Sequence, residues 1–203
     1  MNHMTENKTD LRVIKTHENL INSFLKLLEK KSLKDITVKE ICTEAKCSRN
    51  TFYMHYQYKE DLYHELTDEC INAIRNASNT VTDNISFVSE EIIQQYINNT
   101  IDEMDTKKDI FRVLLKCDQG ALFHLRMMDS FYEYFLDGYQ TLVGTKPDEK
   151  YCLYAKYSAS AIVGFILHWL LYTDLPSSEA KEILNSIHCL TIDTIIKYMK
   201  KTR

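Results

Sequence analysis

Between positions 48 and 59 the chain reads Ser-Arg-Asn-Thr-Phe-Tyr-Met-His-Tyr-Gln-Tyr-Lys. Several of these side chains have the chemistry of nucleic-acid recognition. A guanidinium pairs bidentately with guanine, which makes Arg49 the candidate for base readout. Asn50 and Thr51 can reach base edges or a phosphate. Tyr53, His55 and Lys59 suit phosphate contact, which positions a protein on a duplex without specifying sequence. Thr37 and Ser48 supply hydroxyls where helices can start, and the orphan backbone N–H groups at such starts can face phosphates.

These side chains need a scaffold. From Leu11 to Lys31, Ile14, Ile21, Phe24, Leu25 and Leu28 recur at helical spacing. Residues 32–36 read as a connector. Thr37-Val-Lys-Glu40 fits a capping box, a hydroxyl followed three residues on by a carboxylate, and Val38, Ile41, Cys42 and Ala45 form the apolar stripe of a short helix. Lys46-Cys47 is the turn. Ser48 caps a second short helix through about Met54, with Phe52 facing the core. Two short helices joined by a tight turn make a helix-turn-helix, whose second helix enters the major groove. Tyr56 is expected to pack between the first and fourth helices.

Composition sets the fold class. The chain has 203 residues, with only 4 Gly and 2 Pro; average usage would give about 14 and 10. Sheets need such residues in their many turns, so the chain is all-α. The spacing predicts further helices at about 59–79, 86–104, 108–117, 121–143, 148–173 and 177–200, nine in all. Breaks are expected at Asp83-Asn84, Gly120, Gly144 with Pro147, and Pro176, with Ser177 or Ser178 capping the last helix. Leu62, Leu66, Ile71 and Ile74 should face inward on the fourth helix. Residues 1–10 should be frayed. The net charge is −4, but residues 1–59 carry 11 Lys and Arg against 7 Asp and Glu, whereas 60–203 carry 14 against 22. A basic head on an acidic body suits a DNA-reading protein.

Residues 33–62 resemble the N-terminal domain of TetR/AcrR-family transcriptional regulators. The matching residues are Ile36-Thr37-Val38, Ile41, Ser48-Arg49, Thr51-Phe52-Tyr53, His55-Tyr56 and Lys59-Glu60-Asp61-Leu62. Residues 164–184 are more loosely similar to the C-terminal domain of Firmicute-type members. Three departures stand out: Lys46-Cys47 replaces a Gly-Val type pair, which puts a residue with a Cβ where φ is expected to be positive; Tyr58 replaces a small capping residue; and Lys31 or Ser32 replaces a glycine.

The resemblance implies a DNA-binding head at 1–58 and a ligand-sensing, dimerising body at 59–203. It implies a homodimer through the last two helices, operator binding at a pseudo-palindrome, and Tyr53, His55 and Lys59 as phosphate contacts. It also implies repression relieved by a small-molecule effector. The dimer surface is expected to use Ala155, Ser158, Ala159, Ile162, Val163 and Ile166, with Ile183, Ile187, Leu190, Thr194 and Ile195; the alternative is that these stripes pack within the monomer, and different faces can serve both ends. The body's many rings could line a cavity for a small apolar or aromatic effector, with Phe111, Phe123, Phe131, Phe135 and Tyr154 as candidate liners; rings at helical spacing are also ordinary core. His168, beside Trp169, reads as an interface or core histidine. An alternative reading is a co-activator or protein-interaction module that kept the fold and lost DNA binding, motivated by Lys46 and Tyr58.

Catalysis and cofactors find no support. The phosphate-loop, dinucleotide, zinc-protease and nucleophile-elbow motifs do not occur. The six cysteines form no CxxC pair, and Cys42 and Cys47 have no His at zinc-ligand spacing. No cofactor or metal is expected. The polar N-terminus and the lack of a long apolar run predict a cytoplasmic protein with no membrane partner.

Overall fold

The computed structural model describes residues 3–82 and 90–202. Among these, every regular element is helical: α1 (His3–Leu28), a short 3-10 turn (Leu33–Asp35), α2 (Val38–Glu44), α3 (Arg49–Tyr53), α4 (Lys59–Thr82), α5 (Glu90–Thr106), α6 (Lys108–Lys116), α7 (Gly120–Val143), α8 (Glu149–Tyr172) and α9 (Ser177–Thr202). The all-α expectation holds. The break expected at Asp83-Asn84 lies outside the described residues. Residues 3–10, expected to fray, are helical.

The chain divides into two compact units. One comprises residues 1–68 with 113–120; the other comprises 69–112 with 121–203. Helices α4 and α6 each contribute residues to both.

In the first unit, α1 buries Leu20, Phe24 and Leu28, and α2 and α3 bury Ile41, Cys42 and Phe52. Ile14 is 48% exposed, because it lies roughly a quarter-turn from the centre of the Leu20–Phe24–Leu28 face. The connector at 32–36 is an apolar clamp, with Leu33 and Ile36 buried. From α4, Leu62 and Leu66 are buried in this unit, and Ile71 and Ile74 are buried in the next.

In the second unit, α9 packs on α5 and α8. Gly120 opens α7 so tightly that a Cβ there would meet the Leu115 carbonyl oxygen at 2.1 Å. Gly144, at φ +78°, ends the helix in the left-handed conformation. At the start of α9, the Ala180 N–H donates to the Pro176 oxygen at 3.1 Å. Ser177 and Ser178 therefore stand inside the first turn and neither caps it.

The α8 residues expected at a dimer surface instead face inward: Ala155, Ser158, Ala159, Ile162, Val163 and Ile166 are all buried within the chain. α8 is apolar nearly all round, so its periodicity does not reveal which face turns in. The outer face carries Leu153, Tyr157 and Tyr172, 73%, 63% and 74% exposed, with exposed Ala161, Gly164 and His168 between them. His168 is thus not core, and its ring lies 5.4 Å from that of Tyr172. On α9, Ile183 and Ile187 are exposed. The side chains of Leu190, Thr194 and Ile195 lie outside the described residues.

Candidate nucleic-acid interface

The capping box at α2 is complete. The Glu40 N–H donates to Thr37 Oγ1 at 3.3 Å, and the Thr37 N–H donates to Glu40 Oε2 at 2.9 Å. Lys31, standing where the resembling family has glycine or its neighbour, donates to Glu40 Oε1 at 2.5 Å. Lys31, and then Thr37, hold the Glu40 carboxyl down at about 2. The box is therefore an ionic clamp between the end of α1 and the start of α2.

The turn is next. Lys46 has φ 53°, the only positive φ at a non-glycine among the described residues. Cys47 follows, and then Ser48, whose Oγ accepts from the Thr51 N–H at 3.0 Å. Ser48 thus caps α3 as expected. Arg49 and Asn50, the first two residues of that helix, are exposed, and Thr51 is half-buried. Phe52 is wholly buried. Tyr53 is 56% exposed, its ring edge-on to Phe52 at 5.4 Å. The capped start of α3 thus presents Arg49 and Asn50 to solvent, with Tyr53 exposed at its end.

His55 and Tyr56 belong to a ring cluster. Tyr56 is buried, stacked on His17 of α1 at 6.0 Å and tilted against Phe52 at 5.7 Å. Burial, reinforced by the Glu65 carboxylate, raises its phenol far above the ordinary tyrosine range. Tyr56 is packing, as expected. His55 is half-buried, its ring 6.1 Å from His17, and His17 Nε2 lies 2.6 Å from Glu65 Oε1.

Lys59 is placed differently from the sequence expectation. Its ammonium donates to the carbonyl oxygens of Leu33, Lys34 and Ile36 at 2.7, 2.9 and 2.6 Å, and its side chain is 16% exposed. It caps the 3-10 turn from inside. The physical reason is that three carbonyls converge there, and a cation satisfies them together. Tyr58 leaves α4 without a small capping side chain. Asp61 takes that role, its Oδ2 accepting from the Gln57 and Tyr58 N–H groups at 2.9 and 2.7 Å.

Sequence reasoning missed a second support for the head. Asp118 Oδ1 accepts from the Leu33 N–H at 2.8 Å, and Tyr63 Oη donates to the Gln119 oxygen at 3.0 Å. These partners are 85 and 56 residues apart, and no local pattern announces such pairs.

The five candidate effector-site rings are all in the second unit and are packed against other rings. Phe111 and Phe123 are wholly buried and stacked on one another at 5.9 Å. Phe131 meets Tyr96, Tyr96 meets Tyr134, and Tyr134 meets Phe135. Phe135 joins the cluster of Tyr139, Tyr151 and Ala155, which also includes Tyr198, and Tyr198 is edge-on to Tyr154. Three of the five candidates, Phe131, Phe135 and Tyr154, therefore belong to one continuous run of rings, and Phe111 with Phe123 forms a separate pair through its own stacking. Among the described residues no cluster of His, Cys, Asp or Glu could hold a metal, and no helix is long and apolar enough to cross a membrane.

Comparison with known proteins follows the same division. Residues 20–66 match the family described as bacterial regulatory proteins of the tetR family, and residues 90–189 match a transcriptional regulator C-terminal region of the same group. No curated protein matches the chain. Among solved structures, a TetR regulator from Streptococcus agalactiae superposes with a TM-score of 0.61 at 20% identity, over 90% of this chain and 98% of that one. AibR, solved with isovaleryl coenzyme A and operator DNA, gives 0.56 at 14% identity, over 85% and 97%. DhaS, a dihydroxyacetone kinase operon activator, gives 0.55 at 17%, over 91% and 96%. These structural likenesses show the fold. With its helix-turn-helix and most of its body matched, the chain belongs to the TetR family of transcriptional regulators, DNA-binding proteins and not enzymes.

Proposed function

We propose that this chain is a homodimeric regulator that binds a pseudo-palindromic operator, each protomer laying α3 in the major groove. The observation that carries the reading is the start of α3: Ser48 caps the helix, and Arg49 and Asn50 follow exposed. Arg49 reads a guanine, and Asn50 and Thr51 contact a base edge or phosphate. Thr37, Ser48, Tyr53 and His55 position the head on the backbone. Lys59 supports the same surface through the turn it caps. The departures at Lys46 and Tyr58 favour DNA binding over the alternative of a co-activator that lost it: Lys46 takes the left-handed conformation that the turn needs, and Asp61 replaces the missing cap. DhaS is an activator by its description, so the sign of regulation is part of what is proposed here: repression by occupying promoter DNA.

The dimer forms through the outer faces of α8 and α9. Leu153, Tyr157, Ala161, Gly164, His168 and Tyr172 recur at helical spacing on α8, and Ile183 and Ile187 are exposed on α9. Large exposed apolar side chains in such a stripe mark an interaction surface, and small residues among them let helices approach closely. The effector is a small apolar or aromatic molecule that separates the rings around Phe131, Phe135 and Tyr154, or the Phe111–Phe123 pair. AibR's bound acyl coenzyme A is a precedent within the fold. A ligand that favours a head spacing unlike the half-site spacing weakens operator binding. A DNA-bound regulator of this kind works in the cytoplasm.

The test is a fluorescence anisotropy titration on the upstream intergenic DNA. Salt-dependent, sequence-selective binding is expected. Arg49→Ala should cost about 1–3 kcal/mol and relax discrimination at one base pair. Sequence-blind binding at physiological salt overturns the reading.

A further inference from the structure

The end of α2 forms a specific hydrogen-bond motif. The Cys47 N–H donates to the Cys42 oxygen at 3.0 Å, and the Lys46 N–H donates to the Thr43 oxygen at 3.3 Å. Ala45 is the C-cap, and Lys46 supplies the left-handed residue after it. This is the Schellman arrangement, in which the residue two beyond the cap and the residue three before it bring their side chains together, usually as an apolar contact. Here those two residues are Cys47 and Cys42. Both thiols are free, and the Cys47 thiol is near enough to help push the Cys42 thiol up. Cys42 is buried and Cys47 half-exposed. The Cys42 thiol also donates to the Ser48 carbonyl at 3.7 Å, reaching the residue that caps α3.

We propose that Cys42 and Cys47 are a site of reversible oxidation, closing to a disulfide with hydrogen peroxide as oxidant and lowering operator affinity when closed. The proposal rests on α3 being the operator-reading helix. Two cysteines can be bridged only where the backbone already brings them close, and a hydrogen bond between their own peptide groups does so here.

The half-exposed Cys47 meets the oxidant first. Its sulfur attacks one peroxide oxygen and the O–O bond breaks, leaving Cys47 sulfenic acid and one water. The Cys42 sulfur then attacks the Cys47 sulfur and the S–O bond breaks. The departing hydroxide leaves as a second water with the Cys42 proton. The two thiols lose two electrons and the peroxide gains them. A dithiol such as dithiothreitol reverses the change by exchange, itself becoming the disulfide. Burial, and then the adjoining Cys47, push the Cys42 thiol up to about 11, so the second step should be faster at alkaline pH.

Closure removes the Cys42 S–H that donates to Ser48 and ties Cys47 covalently to α2. Cys47 directly precedes the cap of α3, so the strain falls on the peptide that aims Arg49. The other described thiols are placed elsewhere: Cys117 donates to the Leu114 oxygen at 3.1 Å, Cys152 is half-buried on α8, and Cys70 is buried on α4.

The experiment uses the full chain, with hydrogen peroxide as the probe. Trypsin cleaves after Lys39, Lys46 and Arg49. The disulfide should therefore join two separate peptides, 40–46 and 47–49, in a linked species that dithiothreitol abolishes. Oxidised wild type should bind operator at least about tenfold more weakly and recover on reduction. Cys47→Val and Cys42→Ala should each ignore peroxide, and Cys47→Val, which keeps the apolar contact and the Cys42 S–H donating to Ser48, should bind like the reduced wild type. If Cys42→Ala does not fold, Cys47→Val carries the comparison. Absence of the linked peptide overturns the proposal, as does a linked form that binds operator as tightly as the reduced one. Reduced protein that fails to select operator overturns the operator reading instead, and the linked peptide still decides the dithiol.

Discussion

In the unit that carries α1 to α3, side chains are held by polar bonds to backbone ends. Thr37, Ser48 and Asp61 cap helices, and Lys59 collects three carbonyls. In the unit that carries α5, α7, α8 and α9, rings hold rings: Phe111 on Phe123, Tyr96 between Phe131 and Tyr134, and Tyr139 against Tyr151. Directional bonds fix a surface, which is what a head reading DNA at set spacing requires. Packed rings fix a volume, and rings that slide past one another can open it, which suits a sensor. The contrast is one between a shape fixed by directional bonds and a volume filled by packed rings, and the sensing role proposed above asks only the second to change.

Deleting one buried ring from each unit tests this most harshly. Phe52→Ala and Phe123→Ala each remove a wholly buried ring and should each cost about 3–5 kcal/mol in urea unfolding. They should part company in function. Phe52→Ala should lose operator binding even at temperatures where helix content persists, whereas Phe123→Ala should keep it while changing any effector response. Equal loss of operator binding would erase the functional contrast.

Acid should loosen the two units in different windows. His188, buried on α9, is depressed from 6.5 to about 4 because burial disfavours the imidazolium. The unfolded chain takes up that proton first, so this contribution, on the order of 3 kcal/mol, is lost as pH falls from 6.5 toward 4. Glu40 is depressed from 4.5 to about 2; its contribution is present above 4.5 and lost as pH falls toward 2. His188→Gln should flatten the first window and Glu40→Gln the second, as followed by urea midpoints across pH. Were both variants to alter the same window, the assignment of the two groups would be wrong.

Lys59→Met separates capping from phosphate contact. Losing charge-assisted bonds to three carbonyls should cost about 1.5–3 kcal/mol of stability while leaving the salt slope of operator binding unchanged. A slope smaller by about one would show that this ammonium reaches a phosphate.

The head was more legible in the sequence than the body, for a physical reason. Capping is local: Thr37 with Glu40, and Ser48 with Thr51, are three residues apart, so the pattern is its own geometry. The positive φ at Lys46 was expected from the resemblance, because Lys46 stands where the family has a glycine. What could not be read there was the grip of Asp118 and Gln119, whose partners lie far away in sequence, and the turn of Lys59 inward toward carbonyls that no side-chain pattern displays. In the body, α8 misled. Ile162 and Val163 are buried while Leu153 and Tyr157 are exposed, yet all are apolar. A helix with one face in the monomer core and another suited to a partner shows no single stripe. The rings likewise show that they are buried, but not what they are buried against.

The smallest expected effect contrasts the two units at a single dihedral angle. Both end a helix in the left-handed conformation, the body with Gly144 at φ +78° and the head with Lys46 at φ 53°. A residue with a Cβ costs about 1–2 kcal/mol in that conformation, and glycine avoids the cost but gives back roughly 0.5–1 kcal/mol through the freedom of the unfolded chain. Lys46→Gly should therefore stabilise the protein by under about 1 kcal/mol, and Gly144→Ala should destabilise it by about as much, for the mirror reason. Lys46→Ala keeps the strain and should be close to neutral, which separates the backbone effect from the lost charge. Operator affinity of Lys46→Gly should stay within about twofold of wild type, since the turn keeps its geometry. If Lys46→Gly instead loosens operator binding while raising the urea midpoint, the stiffness of a non-glycine residue in the turn is itself part of how α3 is aimed, and the head's preference for fixed shape extends down to this one residue.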